Sequence, residues 1–130
     1  MPNLELTLCS SSMAPTIVEG QTVWSTPTAW PSTGQVVVIP RGTIYVVHRL
    51  VLRFPPPFSC WGLERGDKEK YPRLLHLENL SGVVVFPDLP PSPTRRSPQM
   101  ELYWWGKSMG GTLLQQLKRC SFWGTHHAGT

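Results

Sequence analysis

Ser12 lies in the run Ser10-Ser11-Ser12-Met13-Ala14-Pro15-Thr16, and His48 closes an apolar run, Val46-Val47-His48-Arg49. A serine hydroxyl is inert at neutral pH until a positioned neighbour takes its proton. Histidine, with an unperturbed pKa of about 6.5, is the side chain best matched to that task. A serine on a tight, proline-containing turn and a histidine on a strand are therefore a candidate nucleophile and its base. The chemistry they point to is hydrolysis of an acyl bond. In the same turn, the Ser12 amide and the Ser10 hydroxyl are candidate donors to a developing oxyanion. Each residue also has a plainer reading. The turn can be a solvated, serine-rich start to a helical turn, and His48 can be a hydrogen-bonded core residue.

Those side chains need a framework, and composition indicates its class. The 130 residues include 14 prolines and 11 glycines with only 15% charged residues, which predicts one loop-rich, mainly β domain. Alternation predicts a first strand over 4–8 that delivers the chain to the serine turn. A helical turn follows at 13–16, then a short strand over 21–24 and a Pro/Thr/Ser/Gly connection over 27–34. Gln35-Val36-Val37-Val38-Ile39 is a β-branched run and reads as a buried strand. Pro40-Arg41-Gly42 reads as a turn into the longest strand, 43–54. There His48 shares a face with Val46 and Leu50, while Val47 and Arg49 take the other. Pro55-Pro56-Pro57 ends it. Further strands are predicted over 58–63, ended by Arg65-Gly66-Asp67, and over 74–77 and 83–86. The chain divides into a β domain over 1–86, a Pro-rich strap or linker over 87–99, and a helix with its tail over 100–130. Leu113, Leu114 and Leu117 carry the helical spacing.

Several function classes are disfavoured. The net charge of +4 is spread along the chain rather than gathered on one element, so no nucleic-acid partner is expected. Three widely spaced cysteines, Cys9, Cys60 and Cys120, predict reduced thiols in a cytoplasmic setting rather than a disulfide scaffold. His126-His127 and His76 have no ligand partners nearby, so neither a metal nor any other cofactor is expected. No stretch reads as a transmembrane span, and Glu5 interrupts the N-terminal apolar run too early for a signal peptide. Trp104-Trp105 beside a basic helix is compatible with peripheral membrane contact.

Taken in order, several blocks resemble the type I signal peptidase family. They are Ser10-x-Ser12-Met13-x-Pro15-Thr16, Gly20-Gln21-x-Val23, Gly34-Gln35-Val36-Val37-Val38, Val47-His48-Arg49, Arg65-Gly66-Asp67 and Gly82-Val83-Val84. The likeness spans roughly 6–86. A histidine just before the arginine is similar to the Ser-His branch; other branches and the related SOS-repressor autoproteases place lysine there. The chain departs from the family at Ser11, where glycine is usual, and at Gln21 and Gln35, where aspartate is usual. Lys68-Glu69-Lys70 also replaces the expected Asn-containing block.

The resemblance implies a partly open β-barrel or coiled sheet with a short C-terminal helix. It implies a serine endopeptidase that removes a leader or signal segment from a precursor after small residues. Ser12 would be the nucleophile and His48 the base. A third acid near His48 would hold its tautomer, with Asp67 the first candidate and Glu69 the second. The Ser12 amide and Ser10 would form the oxyanion site. Substrate would lie as an added strand between 6–10 and 44–47, touching Leu8, Met13 and Val46. The family's usual membrane anchor has no counterpart here, so the resemblance is to a small unanchored member acting on a co-expressed precursor. The alternative is a non-catalytic peptide-binding module on a degenerate peptidase fold. A self-cleaving, repressor-like domain is a further rival, although no lysine stands in place of His48.

Overall fold

The two runs richest in β-branched residues form the centre of the sheet. In a computed structural model that describes residues 4–28 and 30–109, β3 (Val36–Arg41) and β4 (Ile44–Arg53) pair from Val36↔Arg49 to Arg41↔Ile44. Gly42, at φ +60°, makes the tight joint between them, a conformation that costs glycine little. The expected turn at 40–42 is thus one step later. Pro40 and Arg41 belong to β3 because, on the β7 side, β3 is paired only at Val37 and Val38, so a missing N–H at Pro40 leaves no ladder broken there.

Around this hairpin lie β1 (Leu4–Thr7), β2 (Thr22–Thr26), β5 (Trp61–Arg65), β6 (Arg73–His76) and β7 (Gly82–Phe86), with a 3-10 turn at Leu77–Asn79. The order is β1-β2-β7-β3-β4-β5-β6, and every pair is antiparallel. One seven-stranded sheet results, and it is not closed. Of the expected partly open barrel or coiled sheet, what is present is a mainly β, single antiparallel sheet that stays open, because β1 and β6 each pair on one side only and the two ends of the sheet do not meet. Helix α1 covers 98–109. It starts slightly before the expected 100, and the Leu113-Leu114-Leu117 spacing lies outside the described residues.

Alternation along β3 splits the core. Val36 and Val38 join Leu8, Met13, Ile17, Val23 and Val47 on one face. Val37 and Ile39 join Leu50, Leu75, Leu77 and Val83 on the other. Burial on both faces is why β3 reads as an unbroken apolar run. Each such side chain contributes about 1.5–3 kcal/mol by leaving water.

The strand expected over 58–63 is shifted. Phe58 to Cys60 form a turn, with the Phe58 amide bonded to the Pro55 carbonyl at 2.9 Å, and the strand runs on through Glu64 and Arg65. The charges that suggested a strand end are instead buried with partners. Arg49 and Arg65 stand directly opposite each other on β4 and β5. Like charges so placed repel, and each is matched by its own carboxylate. Arg49 holds Asp67 through Nε at 2.8 Å and Nη2 at 2.9 Å. Arg65 holds Glu101 of α1 at 3.3 and 3.0 Å.

The strap is bound by the same groups. Arg49 Nη2 donates to the Pro90 carbonyl at 3.2 Å, Arg65 Nη2 to the Thr94 carbonyl at 3.1 Å, and Thr94 Oγ1 to the Asp67 carbonyl at 2.7 Å. Leu89 packs on the first core cluster. The strap and helix thus seal the Arg49 side of the sheet.

Candidate active site

The serine turn is anchored from below. Met13 and Ile17 are fully buried in the first core cluster, and the Ile17 amide bonds to the Met13 carbonyl at 3.0 Å. From the side it is held by the turn that follows β5: the Lys68 amide donates to the Ser12 carbonyl at 2.9 Å. That approach requires glycine at 66, because a Cβ there would sit 2.5 Å from the Ser12 carbonyl oxygen. Pairing between β4 and β5 begins at Arg49↔Arg65. Just beyond it the chain turns away at Gly66, and His48 is left open to the serine turn.

His48 Nε2 lies 3.3 Å from Ser12 Oγ. Its Nδ1 is in a short hydrogen bond with Glu64 Oε2. A carboxylate there accepts the Nδ1 proton, so the network assigns the lone pair to Nε2, facing the hydroxyl. Glu64 is itself fully buried, and its other oxygen accepts from Arg41 Nη2 at 2.6 Å. Burial pushes the Glu64 carboxyl up. The bonds and charges of His48 and Arg41 outweigh that and hold it below the usual range. The Ser10 hydroxyl is 3.4 Å from Ser12 Oγ. Among the described residues no acceptor takes the Ser12 amide.

Asp67, expected beside His48, is elsewhere. Its carboxylate accepts from Arg49 and, at 2.5 Å, from Thr16 Oγ1. Strand alternation explains the difference: Arg49 faces away from His48, and Asp67 follows Arg65 to that far side. Burial raises the Asp67 carboxyl, and Arg49 and Thr16 more than offset it, leaving it below its ordinary value. Glu69, the second candidate, does approach the imidazole. Its Oε1 is 3.4 Å from Nε2, on the Ser12 side rather than the orienting side, and it also accepts from the Gly66 amide at 3.0 Å.

Glu64 is the group that the sequence reading missed. It stands opposite Leu50, diagonal to His48 on the same face. A strand ending before residue 64 hides it. Continuing the alternation from Leu50 across the β4–β5 pair would have found it.

Leu8 and Val46 line an open cleft of about 560 Å³ together with Ser10, Ser12, Tyr45 and His48. Met13 does not. It is fully buried, and its sulfur accepts from the Asp67 amide at 3.4 Å, so it supports the turn from inside the core. Strand β1 pairs only with β2, and residues 44–47 of β4 pair only with β3. The cleft is therefore flanked by two segments with open main-chain edges. No set of His, Cys, Asp and Glu able to hold a metal ion occurs among the described residues. Nor is any helix there long and apolar enough to cross a membrane. Compared with protein-family models, curated proteins and solved structures, the chain matches none.

Proposed function

We propose that the protein is a serine endopeptidase of the signal-peptidase type that cuts a leader or signal segment from a precursor after small residues. The observation that carries this reading is the 3.3 Å approach of Ser12 Oγ to His48 Nε2 while Nδ1 is held by buried Glu64. A hydroxyl, an imidazole and an orienting carboxylate in that order are the parts nucleophilic acyl transfer needs. The precursor lies extended in the cleft, adding its main chain to β1 or to the 44–47 edge, with Leu8 and Val46 meeting its side chains.

His48 Nε2 takes the Ser12 proton as Oγ attacks the scissile carbonyl. Glu64 stabilises the imidazolium through Nδ1, and the Ser12 amide and Ser10 hydroxyl donate to the oxyanion. His48 then protonates the leaving amine, and the acyl-enzyme is hydrolysed by water with His48 again acting as base. A cytoplasmic site of action, with peripheral membrane contact near Trp104-Trp105, completes the proposal.

The second reading, a peptide-binding module without catalysis, draws on Glu69. Its Oε1 competes with Ser12 for the same ring nitrogen. Labelling with a fluorophosphonate separates the two. A serine endopeptidase acylates at Ser12, loses labelling in Ser12→Ala and His48→Ala, and cleaves peptides bearing small residues before the cut. Peptide binding with no labelling and no cleavage, unchanged by Ser12→Ala, overturns the catalytic reading.

A further inference from the structure

On the sealed side of the sheet, between β4, the strap and the start of α1, lies a second cavity of about 380 Å³. That volume falls within the range of small-molecule sites, about 300–1,000 Å³. Its lining is strongly unbalanced in charge: Arg49, Arg65, Arg95 and Arg96 against one carboxylate, Glu101. Glu101 is already committed to Arg65 and to Arg96, the latter at 2.6 Å. Asp67, which does not line the cavity, neutralises Arg49 alone.

Two donor groups are left over. Arg96 Nε is buried with no partner, the one such side-chain atom among the described residues. The Arg95 guanidinium is exposed and has no partner among the described residues. The start of α1 at residue 98 adds the positive end of a helix dipole to the same rim. Val51, Leu89, Pro90 and Pro91 give part of the wall an apolar surface, beside the polar Thr33, Gln35 and Ser92.

We propose that this cavity is a binding site for a small amphiphilic anion: one carboxylate or phosphate head on an apolar body. The head pairs with Arg95 and Arg96, and the body lies against the strap prolines and Val51. Cations are repelled by the excess of arginine, and a neutral apolar compound leaves the surplus N–H groups unmet. The ligand would bridge strap and sheet, so it would raise thermal stability by mass action.

The test uses the full chain with four probes, octanoate, octyl phosphate, octanamide and inorganic phosphate, followed by calorimetric titration and thermal unfolding. Octanoate and octyl phosphate should bind and raise Tm. Octanamide and inorganic phosphate should each bind at least about ten-fold more weakly than their charged or alkylated counterparts. Arg95 is exposed, so Arg95→Glu should fold normally and weaken both amphiphiles about ten-fold or more. Lys107→Glu, the same charge change outside the cavity, should alter binding less than about two-fold. Equal binding of octanoate and octanamide overturns the anion site. Equal binding of octyl phosphate and inorganic phosphate overturns the apolar wall. Binding indifferent to Arg95→Glu, or no binding of any probe, overturns the proposal outright.

Discussion

His48 and Arg49 are neighbours on one strand, each a basic side chain met by a buried carboxylate, yet they stand in opposite circumstances. Arg49 offers three nitrogens and all are taken, by Asp67, the Gly34 carbonyl and the Pro90 carbonyl. The strap covers it, and nothing is left to react. His48 offers two nitrogens. One is fixed by Glu64, and the other faces a hydroxyl at the edge of an open cleft. Saturation makes a brace, whereas a ring nitrogen facing a hydroxyl at the edge of an open cleft makes a candidate base.

Substitutions can test that contrast, beginning with the largest effect. Ser12→Ala should lower kcat/KM for a cleavable peptide by about 10⁴-fold or more with unchanged Tm. A residual rate within ten-fold of wild type would mean that the cleft works without its hydroxyl.

Glu64→Gln should lower kcat by about 10²–10⁴-fold, because a neutral amide no longer enforces the Nδ1–H tautomer. Asp67→Asn and Glu101→Gln should do the reverse. Each leaves a buried arginine short of its counter-charge, costing about 3–5 kcal/mol in urea unfolding, with far smaller changes in kcat among molecules that remain folded. If Asp67→Asn cut kcat as deeply as Glu64→Gln, the two sides of β4 would not be separable.

Gly66→Ala is expected to fall between the two classes. The added methyl pushes the Ser12 carbonyl, and a displacement of an ångström in a nucleophile costs about 10²-fold in rate. Peptide affinity should change little, so the loss should appear in kcat rather than KM.

Acid sensitivity should be the smallest and most gradual effect. Glu64 and Asp67 are held below their ordinary values of 4.5 and 3.8. A carboxylate with a lowered folded-state value contributes stability that is complete above the ordinary value and is lost as pH falls through the folded one. The unfolding midpoint should therefore drop on acidification below those ordinary values, and Asp67→Asn should flatten the decline.

Much of this geometry can be traced to local chemistry. The β-branched runs at 36–39 and 44–47 suit adjacent strands and do pair, and clusters packed on either side bury both faces of β3. The serine turn was visible from its prolines and hydroxyls, and the facing of His48 from simple alternation. What escaped was long-range. Glu64 and Arg65 read as a polar strand end because their partners, Arg41, His48 and Glu101, come from distant segments. Met13 read as a cleft residue because the turn's inward side is set by tertiary packing. The segment over 87–99 read as a strap or linker, without its points of attachment, because its bonds are made to arginines whose demand for acceptors no local pattern reveals.

The order in which this chain leaves the ribosome matters for the Ser12 turn. Its carbonyl is held by the Lys68 amide, and that turn directly follows Arg65, whose counter-ion arrives only at Glu101. A nascent chain that has emitted Ser12 and His48 lacks the buttress that aligns them. The Ser12 turn therefore gains its lateral support only once the segment through Lys68 has been made, and Arg65 its counter-charge only once Glu101 has followed.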